Sequence, residues 1–129
     1  MSESYQLEAT SKVVAFDFDG TVYGHESGWQ GIAAIADPPV PGIKDLFKRL
    51  SASGYEIVIC TYRATSYTAY KAITEWLARN GLLEYVRQVT ATKPVARCYV
   101  GDRAINFNGD ASKLFEQIDS FKSWTEVER

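Results

Sequence analysis

At 129 residues the chain has room for one domain, and 46% hydrophobic with 13% aromatic residues suffices for a buried core and is too much for a disordered chain. Fourteen Lys and Arg against 16 Asp and Glu leave a formal net charge of −2, which excludes a chain built as a basic nucleic-acid glove. Two cysteines and one histidine exclude a disulfide framework, a four-cysteine zinc site and any multi-histidine metal centre within one chain.

The first ten residues, MSESYQLEAT, are polar and read as a frayed arm ahead of a single domain over 11–129. They lack the basic-then-apolar pattern of a leader peptide. No apolar run reaches the roughly 18 residues a membrane span needs, so a cytoplasmic protein is the default expectation. Val13, Val14, Ala15 and Phe16 form an unbroken apolar run, which reads as a strand buried on both faces. Asp17, Asp19 and Gly20 follow it, placing two acids in a tight turn at its carboxyl end. Residues 21–42 hold Gly24, Gly28, Gly31, Gly42, Pro38, Pro39 and Pro41 and read as a loop with a helical turn around Ile32 to Ile35. A loop of that length in a compact domain usually serves function.

Ile43, Leu46, Phe47 and Leu50 recur at helical spacing, with Gly54 as the terminator. Ile57, Val58, Ile59 and Cys60 make the body of a second strand that ends at Thr61. Tyr70, Ile73 and Leu77 share one face of the next helix, beside Ala69 and Trp76, and Asn80-Gly81 closes it. YVRQVT predicts a third strand, and Cys98, Tyr99 and Val100 a fourth that ends at Gly101 and Asp102. AINFNG reads as a very short fifth strand or a turn. Asp110 caps a predicted helix with Leu114, Phe115 and Ile118 as its buried stripe, and SWTEVER reads as a last turn or strap. Cys60 and Cys98 both lie in apolar runs and read as buried thiols.

Apolar strands alternating with amphipathic helices argue for a parallel α/β sheet with helices on both faces. Such sheets bind ligands at the carboxyl ends of their strands, where the strand order reverses. Asp17, Asp19, Thr61, Arg63 and Asp102 all fall just after predicted strands, and Lys93 just before the fourth. They converge if the first strand is central. Each alone has a plain structural reading: an Asx turn for the acids of DFDG, a cap or salt bridge for Asp102, a solvated surface lysine for Lys93. Together they read as chemistry. Three carboxylates in a small volume repel one another unless a cation intervenes, which implies Mg²⁺. A carboxylate can attack phosphorus, a second can protonate the leaving oxygen and then activate water, and a lysine with a hydroxyl can hold the phosphoryl oxygens.

Asp17-Phe18-Asp19-Gly20-Thr21 resembles the DxDGT signature of the haloacid dehalogenase superfamily, whose members are mostly phosphatases. Thr61 in ICTYRA, Lys93 in TKP and Asp102 in YVGDRAINF match the later motifs in order, and the resemblance spans roughly residues 12–118. A narrower likeness is to small phage and bacterial members. The resemblance implies a three-layer sandwich around a mostly parallel, Rossmann-like sheet. It implies Asp17 as nucleophile and metal ligand, and Asp19 as general acid/base with its main-chain carbonyl on the metal. Thr21 would position Asp19 and the turn, Thr61 and Lys93 would hold the phosphoryl group, and Asp102 would be the third metal anchor. Arg63 is a candidate for substrate phosphate or for support behind the site. One departure stands out: Gly101 occupies a position where close relatives carry an aspartate, and the acid other branches place a few residues on is here Asn106, which brings no charge.

The intervals from Asp17 to Thr61 and from Thr61 to Lys93 are filled by the loop, two helices and one strand, so no cap domain fits. The site is expected to be open unless a partner copy in a homo-oligomer covers it. His25 and Trp29, on the loop, are the candidates for contact with a base, sugar or peptide. Their plainer readings are an exposed loop histidine and a packing anchor. The leading expectation is a Mg²⁺-dependent phosphomonoester hydrolase acting through an aspartyl-phosphate, on a nucleotide or a polynucleotide end. The alternative is a non-enzymatic binding or regulatory module on the same scaffold.

Overall fold

Alternating runs of β-branched and aromatic residues build the centre of the molecule. The computed structural model describes residues 12–126, so the expected arm over 1–10 and the last three residues of the strap lie outside the described residues. Strand β1 (Val13–Asp17) is flanked by β2 (Glu56–Cys60) and β4 (Cys98–Val100), and β3 (Val86–Thr90) lies outside β2. The order is β3-β2-β1-β4, and all three pairings are parallel. Val14 pairs with Ile57 and Cys98, and Phe16 with Ile59 and Val100. The first strand is therefore internal. The chain steps from β1 to β2 to β3 in one direction and returns to the other side of β1 for β4. That reversal makes the carboxyl end of β1 the point where such sheets bind ligands.

Helix α1 (Ile43–Ala52) and helix α2 (Tyr67–Arg79) carry the two crossovers. Two right-handed crossovers in the same direction land on the same face of a sheet. Accordingly Ile43 and Phe47 of α1 and Ile73, Trp76 and Leu77 of α2 join Val14, Phe16, Ile57, Ile59 and Val89 in one buried cluster. Ser53 and Gly54 end α1, with Gly54 at φ 87°, and the Ser66 hydroxyl starts α2 by accepting the Ala69 N–H at 3.2 Å.

Several expectations are corrected. The long helices share one face, so they do not supply layers on both. Helix α3 (Leu114–Asp119) has six residues, and its expected stripe is not buried: Phe115 is 77% exposed and Ile118 is exposed as well. Fewer than two turns give too short a face to seat such a stripe on a sheet. Leu46 and Tyr70 lie at the edges of their helical stripes and are partly in solvent. Strand β4 is at the sheet edge and all three of its residues are exposed, so Cys98 is not a buried thiol, and Cys60 is half-buried. Among the described residues AINFNG adds no strand, and the helical turn expected around Ile32 to Ile35 shortens to a turn at Ile32-Ala33, closed by the Ala34 N–H on the Gly31 carbonyl at 3.2 Å. Asp110 does cap, accepting the Ser112 N–H at 3.0 Å.

Residues 21–42 form an ordered loop held by Tyr23, which is buried among Phe18 and Trp76. The Tyr23 hydroxyl accepts the Ala36 N–H at 3.0 Å and the Asp37 N–H at 3.2 Å, and donates to Asp37 Oδ2 at 3.2 Å. Asp37 also accepts from the Ser27 amide and hydroxyl at 2.7 and 2.5 Å, which, with the Ser27 bonds as the main cause, holds its carboxyl below the ordinary range. The Trp76 indole N–H closes the network on the Asp37 carbonyl at 2.9 Å. No helix among the described residues is long and apolar enough to cross a membrane.

Candidate active site

The turn after β1 opens a cavity of about 260 Å³ at the carboxyl ends of β1 and β2. Asp17, Asp19, Gly20, His25, Cys60, Thr61, Tyr62, Asp102, Arg103 and Thr125 contribute to its wall. The structure thus brings together Asp17, Asp19, Thr61 and Asp102, which the sequence places far apart. Burial of the Asp17 carboxyl, followed by repulsion from Asp102 and Asp19, raises it above the ordinary carboxylate range. Lys93 pulls in the opposite direction.

Lys93 reaches the site by charge rather than contact. It lies in the segment between β3 and β4, is exposed, and stacks its ammonium over the Tyr99 ring, 4.3 Å from the centroid. No ion pair joins it to Asp17 among those of the described residues. Thr61 sits where the chain leaves β2 for the short 3-10 turn Tyr62–Thr65. Its oxygen accepts the Arg63 N–H at 3.2 Å, so its own O–H is still available to a ligand in the cavity.

Arg63 departs from one of its expected roles. The side chain is 1% exposed and each of its three nitrogens donates within the protein. Nε donates to Asp19 Oδ1 and Oδ2 at 3.2 and 3.0 Å, and Nη2 to Oδ1 at 2.8 Å. Nη1 donates to the carbonyls of Gly31 and Ile32 at 2.9 and 2.7 Å. Trp29 covers the guanidinium, 4.4 Å from ring centroid to Cζ. Arg63 is therefore a pin between the turn after β1 and the loop, rather than an exposed donor for substrate phosphate. Trp29 is more than half exposed, lies outside the cavity wall and packs on that pin rather than on the core. His25 does reach the cavity, with Nδ1 3.2 Å from Asp19 Oδ1, close enough to pair when the ring is protonated. Among the described residues it is the one non-glycine residue at positive φ, 58°, a conformation seldom adopted without a local reason. Thr21 turns to the other side of the turn, toward a second hollow of about 220 Å³ shared with Gly101, Asp102 and Trp124, and its hydroxyl oxygen is buried without a partner.

The Gly101 departure has a physical reason. A Cβ built there would collide with Asp17 Oδ2. Glycine lets the end of β4 pass directly beside the Asp17 carboxylate. Gly101→Ala should leave the fold intact and displace that carboxylate, lowering any Asp17-dependent turnover by roughly tenfold. Steady-state kinetics beside a urea melt checks it, and wild-type turnover in the variant would refute the steric account. Asn106, the uncharged residue that stands at the position of a second acid, lies elsewhere, in a small pocket with Phe107, Asn108 and Asp110.

The residues that sequence reading missed come from the chain's end. Ser123 Oγ donates to Asp102 Oδ2 at 2.7 Å, the Trp124 indole N–H donates to the Gly20 carbonyl at 2.7 Å, and Thr125 faces the cavity. A Ser-Trp-Thr string carries no spacing that points to such a role, and Trp124 meets a residue 104 positions away.

Among the described residues no group of three or more His, Cys, Asp or Glu side chains is gathered at metal-ligating spacing. Asp19 spends its carboxylate on Arg63. The donors left for a cation are the Asp17 and Asp102 carboxylates, whose mutual repulsion a positive ion would relieve. Two hard oxygen donors, with water for the remaining positions, suit Mg²⁺, which retains several waters and takes one or two carboxylates.

Neither the protein-family models nor the curated proteins compared with the chain give a match. Among solved structures, a conserved protein from Bacteroides thetaiotaomicron is similar, with 19% identity and a TM-score of 0.55 over 92% of this chain and 98% of that one. At that identity the likeness concerns the fold: a mixed α/β domain on a parallel sheet.

Proposed function

We propose that the chain is a Mg²⁺-dependent phosphomonoester hydrolase of the haloacid dehalogenase type, working through phospho-Asp17. The observation that carries the reading is the meeting of Asp17, Asp19, Thr61 and Asp102 around one cavity at the reversal point of a parallel sheet. Asp17 Oδ attacks phosphorus, forming the Asp17 O–P bond as the bond from phosphorus to the leaving oxygen breaks. Asp19, as a carboxylic acid, gives that oxygen its proton, then takes a proton from the water that cleaves the acyl phosphate. Inorganic phosphate leaves and Asp17 is restored. The Thr61 hydroxyl donates to a phosphoryl oxygen and Lys93 offsets charge near Asp17. Asp17 and Asp102, with the Asp19 main-chain carbonyl, would hold Mg²⁺, which when bound would further neutralise the phosphoryl oxygens. For Asp19 to serve, one of its bonds from Arg63 must loosen when substrate arrives. The flat rings of Tyr62, 77% exposed, and His25 at the cavity favour a nucleotide or a phosphorylated polynucleotide end as substrate.

The test is a panel of nucleotides, sugar phosphates and 3′- or 5′-phosphorylated oligonucleotides with Mg²⁺. Phosphate release that chelator and Asp17→Asn both abolish is the expected result. Release that survives Asp17→Asn would overturn the reading. The bidentate hold of Arg63 on Asp19 favours a second reading, a binding or regulatory module on this scaffold. That reading predicts no turnover, and ligand affinity unchanged by Asp17→Asn.

A further inference from the structure

We propose that Ser123 is a positioning residue of this site, its hydroxyl fixing the Asp102 carboxylate in the orientation that anchors a divalent cation. The inference rests on the phosphatase reading and adds the C-terminal strap to its machinery.

The argument begins with what Asp102 lacks. Its chain neighbour Gly101 can carry no side chain beside Asp17, and Asn106 lies in another pocket. The partner of Asp102 is supplied by the strap instead. Ser123 is 1% exposed, and its oxygen lies 2.7 Å from Asp102 Oδ2 and 3.0 Å from Thr125 Oγ1. It also accepts the Thr125 N–H at 3.3 Å. A carboxylate only accepts, so the single Ser123 proton goes to Asp102, and the Thr125 hydroxyl must donate to Ser123. The hydrogen bonds then run one way, from Thr125 at the cavity wall through Ser123 to Asp102. That bond fixes one oxygen of the Asp102 carboxylate and leaves lone pairs on both for a cation.

The strap is itself held in place. Trp124 is bonded to the Gly20 carbonyl, within the same turn that carries Asp17 and Asp19. Glu126 accepts the Ser123 N–H at 3.1 Å and an Arg103 bond at 2.6 Å, next to Asp102 in the chain. Gly20 has no side chain, and a Cβ there would stand 2.5 Å from Asp102 Oδ2, in the space beside the Ser123 bond. A partner behind a metal ligand commonly governs affinity for the metal by a factor of about 10 to 100.

The experiment measures Mn²⁺ binding to the full chain without substrate, by electron paramagnetic resonance of the free ion. Ser123→Ala should weaken Mn²⁺ about tenfold while circular dichroism stays native, and Thr125→Val should weaken it less. Ser123→Cys keeps the volume but offers a weak donor, so it should also weaken binding, and it carries the comparison if the alanine variant does not fold. Wild-type affinity in the folded Ser123 variants would overturn the role of Ser123 and leave the phosphatase reading standing. A wild-type chain that binds no Mn²⁺ would overturn the reading beneath it, so the two failures are distinct.

Discussion

Asp17→Asn is expected to abolish turnover and to make the metal-free protein more stable. The loss of activity should reach at least about 10⁴-fold, because an amide does not attack phosphorus and no nearby group replaces it. The gain in stability follows from the raised Asp17 carboxyl, caused first by burial and then by Asp102 and Asp19. In the unfolded chain the carboxyl titrates at its ordinary value. Between that value and the higher folded one, the native state binds more protons than the unfolded state, so stability falls as pH rises through the window. Above the window the fold carries an ionised Asp17 at a cost, which the neutral amide removes. The residue is open to solvent as a whole, so the effect is small: the variant should melt roughly 2 °C higher at neutral pH in chelator. Below the ordinary carboxyl range the difference should vanish, and added Mg²⁺ should raise the wild type but not the variant. Thermal melts from pH 3 to pH 8 read all three. A variant less stable than the wild type at neutral pH would show that Lys93, the one opposing influence, outweighs burial and the two acids.

Some of this was readable from the sequence, and the reasons are local. The apolar runs of β1 and β2 and the helical spacing of Ile43, Phe47, Ile73 and Leu77 are decided by neighbours a few residues away, and they appear where the pattern places them. Asp17, Asp19, Thr61 and Asp102 were placed by their positions at strand ends, which parallel pairing then turns into proximity. What was not readable depends on partners distant in the chain. Phe115 and Ile118 have the right spacing but too short a helix to seat them. Cys98 lies in an apolar run, but edge position rather than composition decides its exposure. Ser123 shows no local sign of meeting Asp102. Arg63 was visible as a basic residue near the site, whereas its burial was not, since that depends on the loop carbonyls of Gly31 and Ile32 folding back over it.

Arg63→Ala should therefore act on the fold before it acts on substrate binding. The side chain bridges Asp19 and the loop carbonyls of Gly31, Ile32 and Ala34 from a buried position, and its loss takes a donor from each of them. Removing one partner of a buried ion pair costs about 3 to 5 kcal/mol. Asp19 keeps 30% exposure and can partly rehydrate, which argues for the lower end, about 3 kcal/mol, lost from the urea unfolding free energy. Arg63→Lys keeps the charge but not the planar fork, so it should recover only part of that loss. The loop over residues 23–41 should become the first site of limited proteolysis, since Arg63 ties it to the turn after β1. A substrate-phosphate role makes the opposite forecast: KM rises many-fold while the urea midpoint stays where it was. A pin instead lowers the midpoint, and it lowers kcat through a displaced Asp19. The pair can be isolated by a double-mutant cycle with Asp19→Asn, in which the second substitution should cost much less once Arg63 is gone. Additive costs in that cycle would mean that the loop carbonyls, not Asp19, account for what Arg63 contributes.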